Sequence, residues 1–449
     1  FNQLIKRFPN CPSLKYLGHT YPQIVEQTVS PLPSNSNSLN EIQQGYLNFY
    51  PANSISPFAP IDAKGPWILT QDHQIVYDVG GYGMLGFGHN PDRILEVLSQ
   101  PQTMANIMTP NPIQADFFEE IKKHLSEQYQ KIICLNSGSE ANSFAMRLAQ
   151  VHQHPNPVKI SLVESFHGRT ELPAQVSGSC LPSYQQHLAD FKNLKNYFIE
   201  INNLDHLKDT FEMIKLKNQF PEITIVEPVM GEGQPGVAMT PEFYQQLRSQ
   251  TQKMGGLLLV DSVQAGIRCT GELSITQYPG FENLDPPDME TFSKAINGGQ
   301  FPLSVVAMTQ LVADRYVPGL YGNTMTANPR GLSVGLEILK QLNSSVKKNI
   351  VTQGHKLKQK LTDIKDQFDF IESVSGTGLL VALEFETSLC SLKIEKQLRI
   401  MGLNVIHGGK NALRLTPWFH ISESEIELIS EQLIDICHLI KEHRSKFEK

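Results

Sequence analysis

The sequence predicts an α/β protein with a three-layer large domain, built on a mainly parallel sheet, and a smaller α+β domain. The chain has 449 residues, of which 40% are hydrophobic and 18% charged, so it can form a large core. In its middle part, wholly apolar strands alternate with helices, which is typical of a parallel sheet covered on both faces. After about residue 335 short strands and helices follow in a mixed α+β pattern, which predicts the second domain.

The predicted elements begin at Trp67. WILTQDHQIVYDV is two β-rich segments around a polar turn, which predicts a hairpin. A glycine-rich loop follows, and then a helix with Asn90 as N-cap and Pro91 at its first position. Later segments that read as strands are KIICL, VKISLVE, TIVEPV, GLLLVD, GLLVALEF and ALRLTP.

Residues 1–65 are rich in Pro, Asn, Ser and Gln and show little periodicity, which predicts an irregular surface arm. The predicted division is therefore an arm over 1–65, the first part of the small domain over 66–90, a large domain over 91–335 and the rest of the small domain over 336–449.

The net charge of −7 argues against a nucleic-acid or acidic-membrane partner. The six cysteines include no C-x-x-C pair, which favours reduced thiols over disulfides or a zinc site. No stretch is apolar for long enough to span a membrane, and FNQLIKRFPN lacks the apolar run of a secretory signal. We therefore expect a cytoplasmic protein. His89, His167 and His407 are not spaced as a metal site, so we expect no metal.

Four loops at predicted strand ends carry chemistry-bearing residues, and strand ends are where α/β sheets bind ligands. Asn136-Ser137-Gly138-Ser139 opens a helix, where small residues and the helix dipole suit a phosphate. Asp261 ends an apolar strand and needs a cation or a donor, and Gln264 follows one turn later. Each also has an ordinary interpretation, as a βα turn and as a helix cap.

The other two loops contain a lysine and an aromatic ring. Lys294 stands beside small residues and could form a Schiff base with an aldehyde. In Phe166-His167-Gly168-Arg169, the ring could stack on a planar ligand and the guanidinium could bind a carboxylate. Taken singly, each is more simply a surface lysine, a packed ring or a surface arginine. Together, the four loops supply what a pyridoxal phosphate site needs.

These motifs resemble those of the class III (ω-type) aminotransferases, a family of fold type I pyridoxal-phosphate enzymes. The resemblance runs from about residue 67 to the end of the chain. It rests on Asn136–Asn142, Phe166–Thr170, Glu227-Pro228 with Gly231–Gly233, Asp261–Gln264, Ser293-Lys294, Tyr321–Thr324 with Asn328-Pro329, and Arg414–Pro417.

The resemblance implies a role for each cofactor-site residue. Lys294 would hold the cofactor and move the proton, Asp261 would face the pyridine nitrogen, Gln264 would bond the phenolic oxygen, and Phe166 would stack on the ring. The remaining cofactor-binding residues that it implies are Ser137, Gly138, Ser139, His167 and, from the other chain of a homodimer with active sites at its interface, Thr324.

For the substrates, the resemblance implies carboxylate binding by Arg414 and, in members acting on ω-amines, by Arg169. Glu227 is expected to be a gate that pairs with Arg414. The expected reaction is a ping-pong transfer from an ω-amino acid, diamine or basic amino acid to a 2-oxo acid, probably 2-oxoglutarate.

The chain departs from the family pattern at several positions beside the site. The family usually has Glu at position 262 and Thr at 265, where this chain has Ser and Ala, and it usually reads Gly-Arg-Thr-Gly where this chain has Arg268-Cys269-Thr270-Gly271. None of these positions is the lysine, the aspartate or the phosphate loop. The departures therefore bear on the substrate.

The sequence raises three alternatives, and its own residues argue against the first. Two G-x-G-x-x-G strings, over 81–86 and 231–236, would suit a nicotinamide dehydrogenase, but Glu232 would oppose a pyrophosphate and Pro235 lacks an N–H. An amino-acid racemase or epimerase on the same scaffold is a closer alternative. A non-catalytic protein that binds pyridoxal phosphate is the third, and the intact Lys294 and Asp261 argue against it.

Overall fold

The computed structural model describes residues 2–20, 39, 42, 44–47, 56–104 and 109–449. The chain forms two compact units. The larger comprises Asp92–Lys348, and the smaller comprises Phe1–Pro91 with Asn349–Lys449. The sequence places these breaks after residues 90 and 335. Helix Pro329–Gln341 packs onto helices Pro112–Lys122 and Asp92–Ser99 of the larger unit, so the second break lies further along the chain.

The strands, β1 to β15 in chain order, are Pro60–Lys64, Trp67–Thr70, Ile75–Asp78, Lys131–Leu135, Pro157–Leu162, Asn196–Ile199, Phe220–Val226, Leu257–Asp261, Met289–Phe292, Ser304–Met308, Ile371–Thr377, Leu380–Phe385, Leu403–Asn404, Ile406–Gly408 and Ala412–Leu415. The α-helices of the described residues, α1 to α14, are Asn2–Arg7, Pro12–Thr20, Asp92–Ser99, Pro112–Lys122, Gly138–Ala149, Glu171–Val176, Leu181–His187, Leu204–Leu216, Pro241–Lys253, Gln310–Ala313, Pro329–Gln341, Ser344–Lys365, Ser391–Ile400 and Glu423–Glu442.

The larger unit is built on a seven-stranded sheet of order β4-β10-β9-β8-β7-β5-β6. Strands β6, β5, β7, β8 and β9 are parallel, whereas β10 is antiparallel to both of its neighbours. The mainly parallel sheet is therefore confirmed. Because β4 runs in the same direction as β9, the carboxyl ends of β4, β5, β7, β8 and β9 meet at one edge.

Apolar burial explains why these segments form the sheet. Every residue of β7 and β8 is buried, as expected for central strands covered on both faces. Helix α5 packs Phe144 and Leu148 into the same apolar cluster as Ile225 and Leu259. This packing places the first turn of α5 beside the carboxyl edge of the sheet, where β4 ends.

The smaller unit contains two four-stranded sheets, of orders β1-β2-β3-β13 and β11-β12-β15-β14. The predicted hairpin is confirmed, since β2 and β3 pair antiparallel with Trp67 opposite Tyr77. Helix α14 is closed at its start by a capping box between Ser422 and Glu425. The mixed α+β character predicted for the C-terminal part is what the structure shows.

The N-terminal segment differs from the predicted irregular arm. Helices α1 and α2 and strand β1 lie within residues 1–65, and the rest of that segment lies largely outside the described residues. Phe8, Cys11, Leu14 and Leu17 recur every three residues and are buried, which is the apolar stripe of a helical segment. The Ser13 hydroxyl adds a hydrogen bond of 2.6 Å to Glu425.

The N-cap predicted at Asn90 is wrong. The helix begins at Asp92, and Asn90 adopts a left-handed backbone with φ of 47°. Its side-chain amide donates to the Ala63 carbonyl at 2.8 Å instead of capping the helix. Asparagine tolerates this backbone region better than most residues, which explains its presence before Pro91.

In the part of the chain that the structure describes, no helix is both long enough and apolar enough to cross a lipid bilayer.

Candidate active site

The loops singled out in the sequence all follow strands that end at one edge of the large sheet. Asn136 follows β4, Glu227 follows β7, Asp261 ends β8, and Lys294 lies two residues beyond β9. Asp261 is the register partner of Thr291 on β9. The parallel topology therefore collects these side chains from distant parts of the sequence, as α/β sheets do at their ligand-binding edge.

The loop after β4 forms the start of helix α5. Ser137 is the N-cap, and its hydroxyl accepts from the Glu140 N–H at 3.2 Å. A Cβ on Gly138 would lie 2.8 Å from Cγ1 of Val263, so only glycine fits there without movement. The helix N-terminus and its N–H groups suit an anion such as a phosphate.

The Phe166–Arg169 loop closes onto this turn at Gly168 and Ser139. Gly168 has φ of 124°, and a Cβ there would lie 2.3 Å from the Ser139 hydroxyl oxygen. The backbone N–H of Arg169 donates to that same hydroxyl at 3.3 Å. Two of the motifs predicted from the sequence thus meet at the start of α5.

Asp261 is buried and accepts three hydrogen bonds. Its Oδ2 accepts from the Asn142 amide at 2.7 Å and bonds Nδ1 of His167 at 2.8 Å, and its Oδ1 accepts from the Val263 N–H at 3.0 Å. Three donors stabilise an ionised carboxylate in a buried position. Thr291, the register partner of Asp261, fixes Asn142 by donating to its amide oxygen at 2.7 Å.

His167 connects Asp261 to Ser161 on β5. An ionised carboxylate only accepts, so Nδ1 of His167 carries the proton toward Asp261, and Nε2 faces the Ser161 hydroxyl at 3.1 Å. The sequence predicts His167 as a cofactor-binding residue but does not single out Asn142 and Ser161, which bond Asp261 and His167, or Thr291, which bonds Asn142. Asn142 was inside a recognised motif. Ser161 lies between Ile160 and Leu162, and Thr291 lies between Glu290 and Phe292. Only their polarity at buried strand positions could have marked them.

Lys294 and Gln264 are in direct contact, since the lysine ammonium donates to Oε1 of Gln264. Lys294 has a left-handed backbone with φ of 45°, an uncommon conformation that recurs at functional sites. Gln264 is buried, and its Nε2 has no hydrogen-bond partner among the residues that the structure describes. A buried donor without a partner beside a lysine and an anion site fits the phenolic oxygen of pyridoxal phosphate.

Glu227 is fully enclosed, and both of its carboxylate oxygens accept backbone N–H groups. Oε2 accepts from Phe166 at 2.9 Å, and Oε1 accepts from Gly231 at 2.8 Å. Burial, and next the charge of Asp261, raise the pKa of Glu227 to about 8, and the charge of Lys294 opposes them. The ionisation of Glu227 thus depends on the charges of Asp261 and Lys294, and its carboxylate fixes the Phe166 loop through the Phe166 N–H. Its role as a gate toward Arg414 stays a prediction.

Arg169 lies on the exposed side of the same loop. Its Cζ is 5.2 Å from the centroid of the Phe166 ring, and its Nη1 donates to the Tyr184 hydroxyl at 3.1 Å. The sequence indicated Phe166 and Arg169 as a stacking ring and a carboxylate ligand. Tyr184, on helix α7, was not predicted as a site residue.

The Tyr321–Thr324 segment is joined to the phosphate loop through Glu140. The Glu140 carboxylate accepts from the Tyr321 hydroxyl at 2.6 Å, from the Asn323 amide, and from the Asn136 N–H at 2.8 Å. Thr324 itself is exposed. Its predicted role in the site of a second chain stays a prediction.

Arg414 belongs to the smaller unit. It lies on β15, is fully buried, and is paired in register with Ala382 and Ile406. Its guanidinium carbon is 5.7 Å from the ring centroid of Tyr82, in the glycine-rich loop of the same unit. Substrate binding by Arg414 stays a prediction.

Ser262, at the position where the family usually has Glu, hydrogen-bonds a carboxylate on the neighbouring strand β9. The hydroxyl of Ser262 donates to Glu290 at 2.5 Å, and Ser274 and Tyr129 donate to the same buried carboxyl group. Burial raises the pKa of Glu290 to about 7, against these hydrogen bonds. A carboxyl group is thus present beside the Asp261 loop, but it comes from β9.

The second G-x-G-x-x-G string does not form a dinucleotide-binding turn. The Gly231 N–H is taken by Glu227, the Gly236 N–H donates to the Met230 carbonyl at 2.8 Å, and Val229 bridges to Ala238. Helix α9 begins only at Pro241. Its N-terminus is therefore separated from the glycines that would have to hold a pyrophosphate.

Comparison with known proteins places the chain among transaminases. The family model described as "Aminotransferase class-III" matches residues 50–437. A [LysW]-aminoadipate semialdehyde/glutamate semialdehyde transaminase from Sulfurisphaera tokodaii is 30% identical over 81% of this chain and 92% of that protein. An acetylornithine aminotransferase from Prochlorococcus marinus is 29% identical over 82% of this chain and 89% of its own length.

A solved structure supports the fold. The ornithine aminotransferase from Toxoplasma gondii superposes with a TM-score of 0.79 at 19% identity, covering 92% of this chain and 96% of that one. At this identity the likeness establishes the fold alone, which is that of the fold type I enzymes.

Proposed function

This chain belongs to the class-III aminotransferases, and we propose that it transfers the terminal amino group of an ornithine-type donor to 2-oxoglutarate. It is an enzyme that depends on pyridoxal 5'-phosphate. The observation that carries the proposal is the contact between Lys294 and Oε1 of Gln264 at the sheet edge where the buried Asp261 ends β8. The Nε2 group of Gln264 has no hydrogen-bond partner among the described residues. These groups supply a nucleophilic amine, a donor and an anion at one sheet edge.

Several groups of residues would hold the cofactor. Its phosphate would lie at the start of α5, at Ser137, Gly138 and Ser139, with its ring against Phe166, and Thr324 would come from a second chain. When bound, the cofactor supplies a conjugated ring that accepts the electron pair left on a substrate carbon that loses a proton. Asp261, held in place by hydrogen bonds to Asn142 and His167, would face the ring nitrogen.

Lys294 is the proposed proton carrier. Its amine would remove the proton from the substrate carbon that bears the nitrogen and return a proton at the end of the transfer. Its contact with Gln264 fixes the position of the amine, and its charge acts on the neighbouring Glu227. A transfer of this kind turns an ω-amine into an aldehyde, and it turns 2-oxoglutarate into glutamate.

The donor class is proposed from two considerations. The relatives described above include an acetylornithine aminotransferase, and Arg169 offers a guanidinium on the exposed side of the Phe166 loop. A guanidinium fork binds a carboxylate by two parallel hydrogen bonds. We therefore expect a donor with a terminal amine and a remote carboxylate, such as N²-acetylornithine. Arg414 is proposed to bind a carboxylate of the acceptor, with Glu227 as its gate.

The active protein is proposed to be a homodimer with sites at its interface. The resemblance of Tyr321–Thr324 to the family's partner-reaching segment and the exposure of Thr324 support this. Donor and acceptor would use one pocket in turn, which gives ping-pong kinetics. Light scattering of the purified protein should give twice the mass of one chain.

The test is amino transfer from N²-acetylornithine to 2-oxoglutarate, measured as glutamate formed. Lys294→Ala should lower the rate by at least about a thousandfold and abolish covalent cofactor attachment. Lys253→Ala, at an exposed lysine near the end of α9, is the control and should leave both unchanged. Unchanged turnover in Lys294→Ala would refute the proposal. Loss of optical purity without any acceptor would instead indicate a racemase.

A further inference from the structure

We propose that Tyr184 is a positioning residue that fixes the guanidinium of Arg169 and so determines the preference for donors with a carboxylate. This inference rests on the proposed function, and it adds to that function a residue on helix α7. Tyr184 lies 15 positions after Arg169, and its hydroxyl accepts a hydrogen bond of 3.1 Å from Nη1 of Arg169.

The ring of Tyr184 packs against a buried aromatic side chain. Its centroid is 5.4 Å from that of Phe191, with an angle of 58° between the ring planes, and Phe191 is buried. The backbone carbonyl of Tyr184 accepts from the Leu188 N–H at 2.7 Å. The Tyr184 hydroxyl is therefore an acceptor in a fixed position for the long side chain of Arg169.

Arg169 also contacts Phe166 and Ser139. Its guanidinium carbon lies 5.2 Å from the centre of the Phe166 ring, and its backbone N–H donates to Ser139 at the start of α5. Phe166 is tied through its own N–H to Glu227. The guanidinium is therefore located relative to the ring that would stack on the cofactor.

The Tyr184 hydroxyl keeps its proton in this position. Burial raises its pKa, and the charge of Arg169 opposes that shift only in part. A neutral hydroxyl that accepts from arginine still carries one proton that it can donate. Tyr184 and Arg169 together thus form a polar pair suited to a carboxylate, with the hydroxyl setting the direction of the guanidinium fork.

Removal of the Tyr184 hydroxyl should raise KM only for donors that carry a carboxylate. Tyr184→Phe keeps the ring and its packing but removes the hydrogen bond from Nη1 of Arg169 to the tyrosine hydroxyl. For a donor with a carboxylate, KM should rise roughly 5- to 10-fold, the effect of losing one such hydrogen bond, while kcat changes less than about twofold. For a donor without a carboxylate, KM should not change.

The experiment compares N²-acetylornithine with N-acetylputrescine, which has the same chain without the carboxylate, on the wild-type holoenzyme and on Tyr184→Phe. Tyr197→Phe is the matched control. Tyr197, on edge strand β6, also accepts from a cation, with Lys217 at 3.3 Å, but lies on another element. It should leave both KM values unchanged.

A double variant adds a second readout. In an Arg169→Ala background, Tyr184→Phe should have no further effect on KM for N²-acetylornithine. Binding of pentanoate to the holoenzyme, measured by calorimetry, should weaken in Tyr184→Phe by the same factor, and this readout needs no turnover.

Equal KM changes for the two donors, or unchanged pentanoate binding, would overturn the role of Tyr184. Absence of transfer from N²-acetylornithine in the wild type would contradict the proposed donor class instead, and pentanoate binding would still decide the role of Tyr184.

Discussion

Nδ1 of His167 lies 2.8 Å from Oδ2 of Asp261, and the two side chains are 0% and 3% exposed. The residues are 94 positions apart, and they meet because the loop after β5 and the end of β8 lie at the same edge of the large sheet. The imidazole fills one acceptor site of a buried carboxylate. The protein's own hydrogen bonds therefore fix the orientation of the Asp261 carboxylate before any ligand binds.

Replacing His167 by Phe should remove this fixed direction while keeping a planar ring. We expect kcat/KM to fall about 10- to 100-fold, since Asp261 would lose a charge-assisted bond in a buried place. The measurement is steady-state kinetics together with the cofactor absorbance spectrum. His206→Phe is the control, because His206 is 4.0 Å from Glu200 in a well-exposed pair. Similar losses in both variants would contradict the role of His167.

The ionisation of Glu227 should appear as a step in the pH dependence of kcat/KM. Its pKa is about 8, so it is neutral at lower pH and becomes charged above that value. The new negative charge would favour the protonated, non-basic form of Lys294, and kcat/KM should decline above pH 8. Rates between pH 6 and 10 test this. In Glu227→Gln the step near pH 8 should be absent, whereas Glu290→Gln should retain it.

Gly168→Ala should disrupt the meeting point of two site loops. The new Cβ would lie 2.3 Å from the Ser139 hydroxyl and 2.9 Å from its Cα, at φ of 124°. We expect a loss of about 2–4 kcal/mol in unfolding free energy and weaker cofactor retention. Gly319→Ala is the matched control, with φ of 88° and nothing within 4 Å, and should cost about 1 kcal/mol. Denaturant unfolding and cofactor titration compare the two. Equal losses would show that only backbone strain matters.

Glu290 should make stability depend on pH. Its folded pKa is raised from 4.5 to about 7, so the unfolded chain releases this proton first. The free energy of unfolding therefore falls as pH rises from about 4.5 to 7, by about 3 kcal/mol from this group. Unfolding of Glu290→Gln between pH 4.5 and 8 should show a shallower decline than the wild type. An identical slope would mean that Glu290 ionises normally.

The fold class follows from the amino-acid pattern alone, because the apolar strands β7 and β8 and the helices between strands carry their own periodicity. The sequence also predicts which residues carry the chemistry, since Ser137–Ser139, Asp261 and Lys294 lie in local motifs whose spacing is read along the chain. It missed α1 and α2 because an apolar residue every third position, from Phe8 to Leu17, is a weak signal among polar neighbours.

The side chains that support those motifs are identified by the folded arrangement. The supporting hydrogen bonds join residues that are distant in the sequence or carry no motif. They run from Asn142 and His167 to Asp261, from Arg169 to Tyr184, and from Ser262 to Glu290. Sheet register and helix packing bring them within hydrogen-bond distance, and burial then sets the protonation of Glu227 and Glu290. A linear pattern records which residues are present, whereas hydrogen bonding and desolvation depend on distances that exist only after folding.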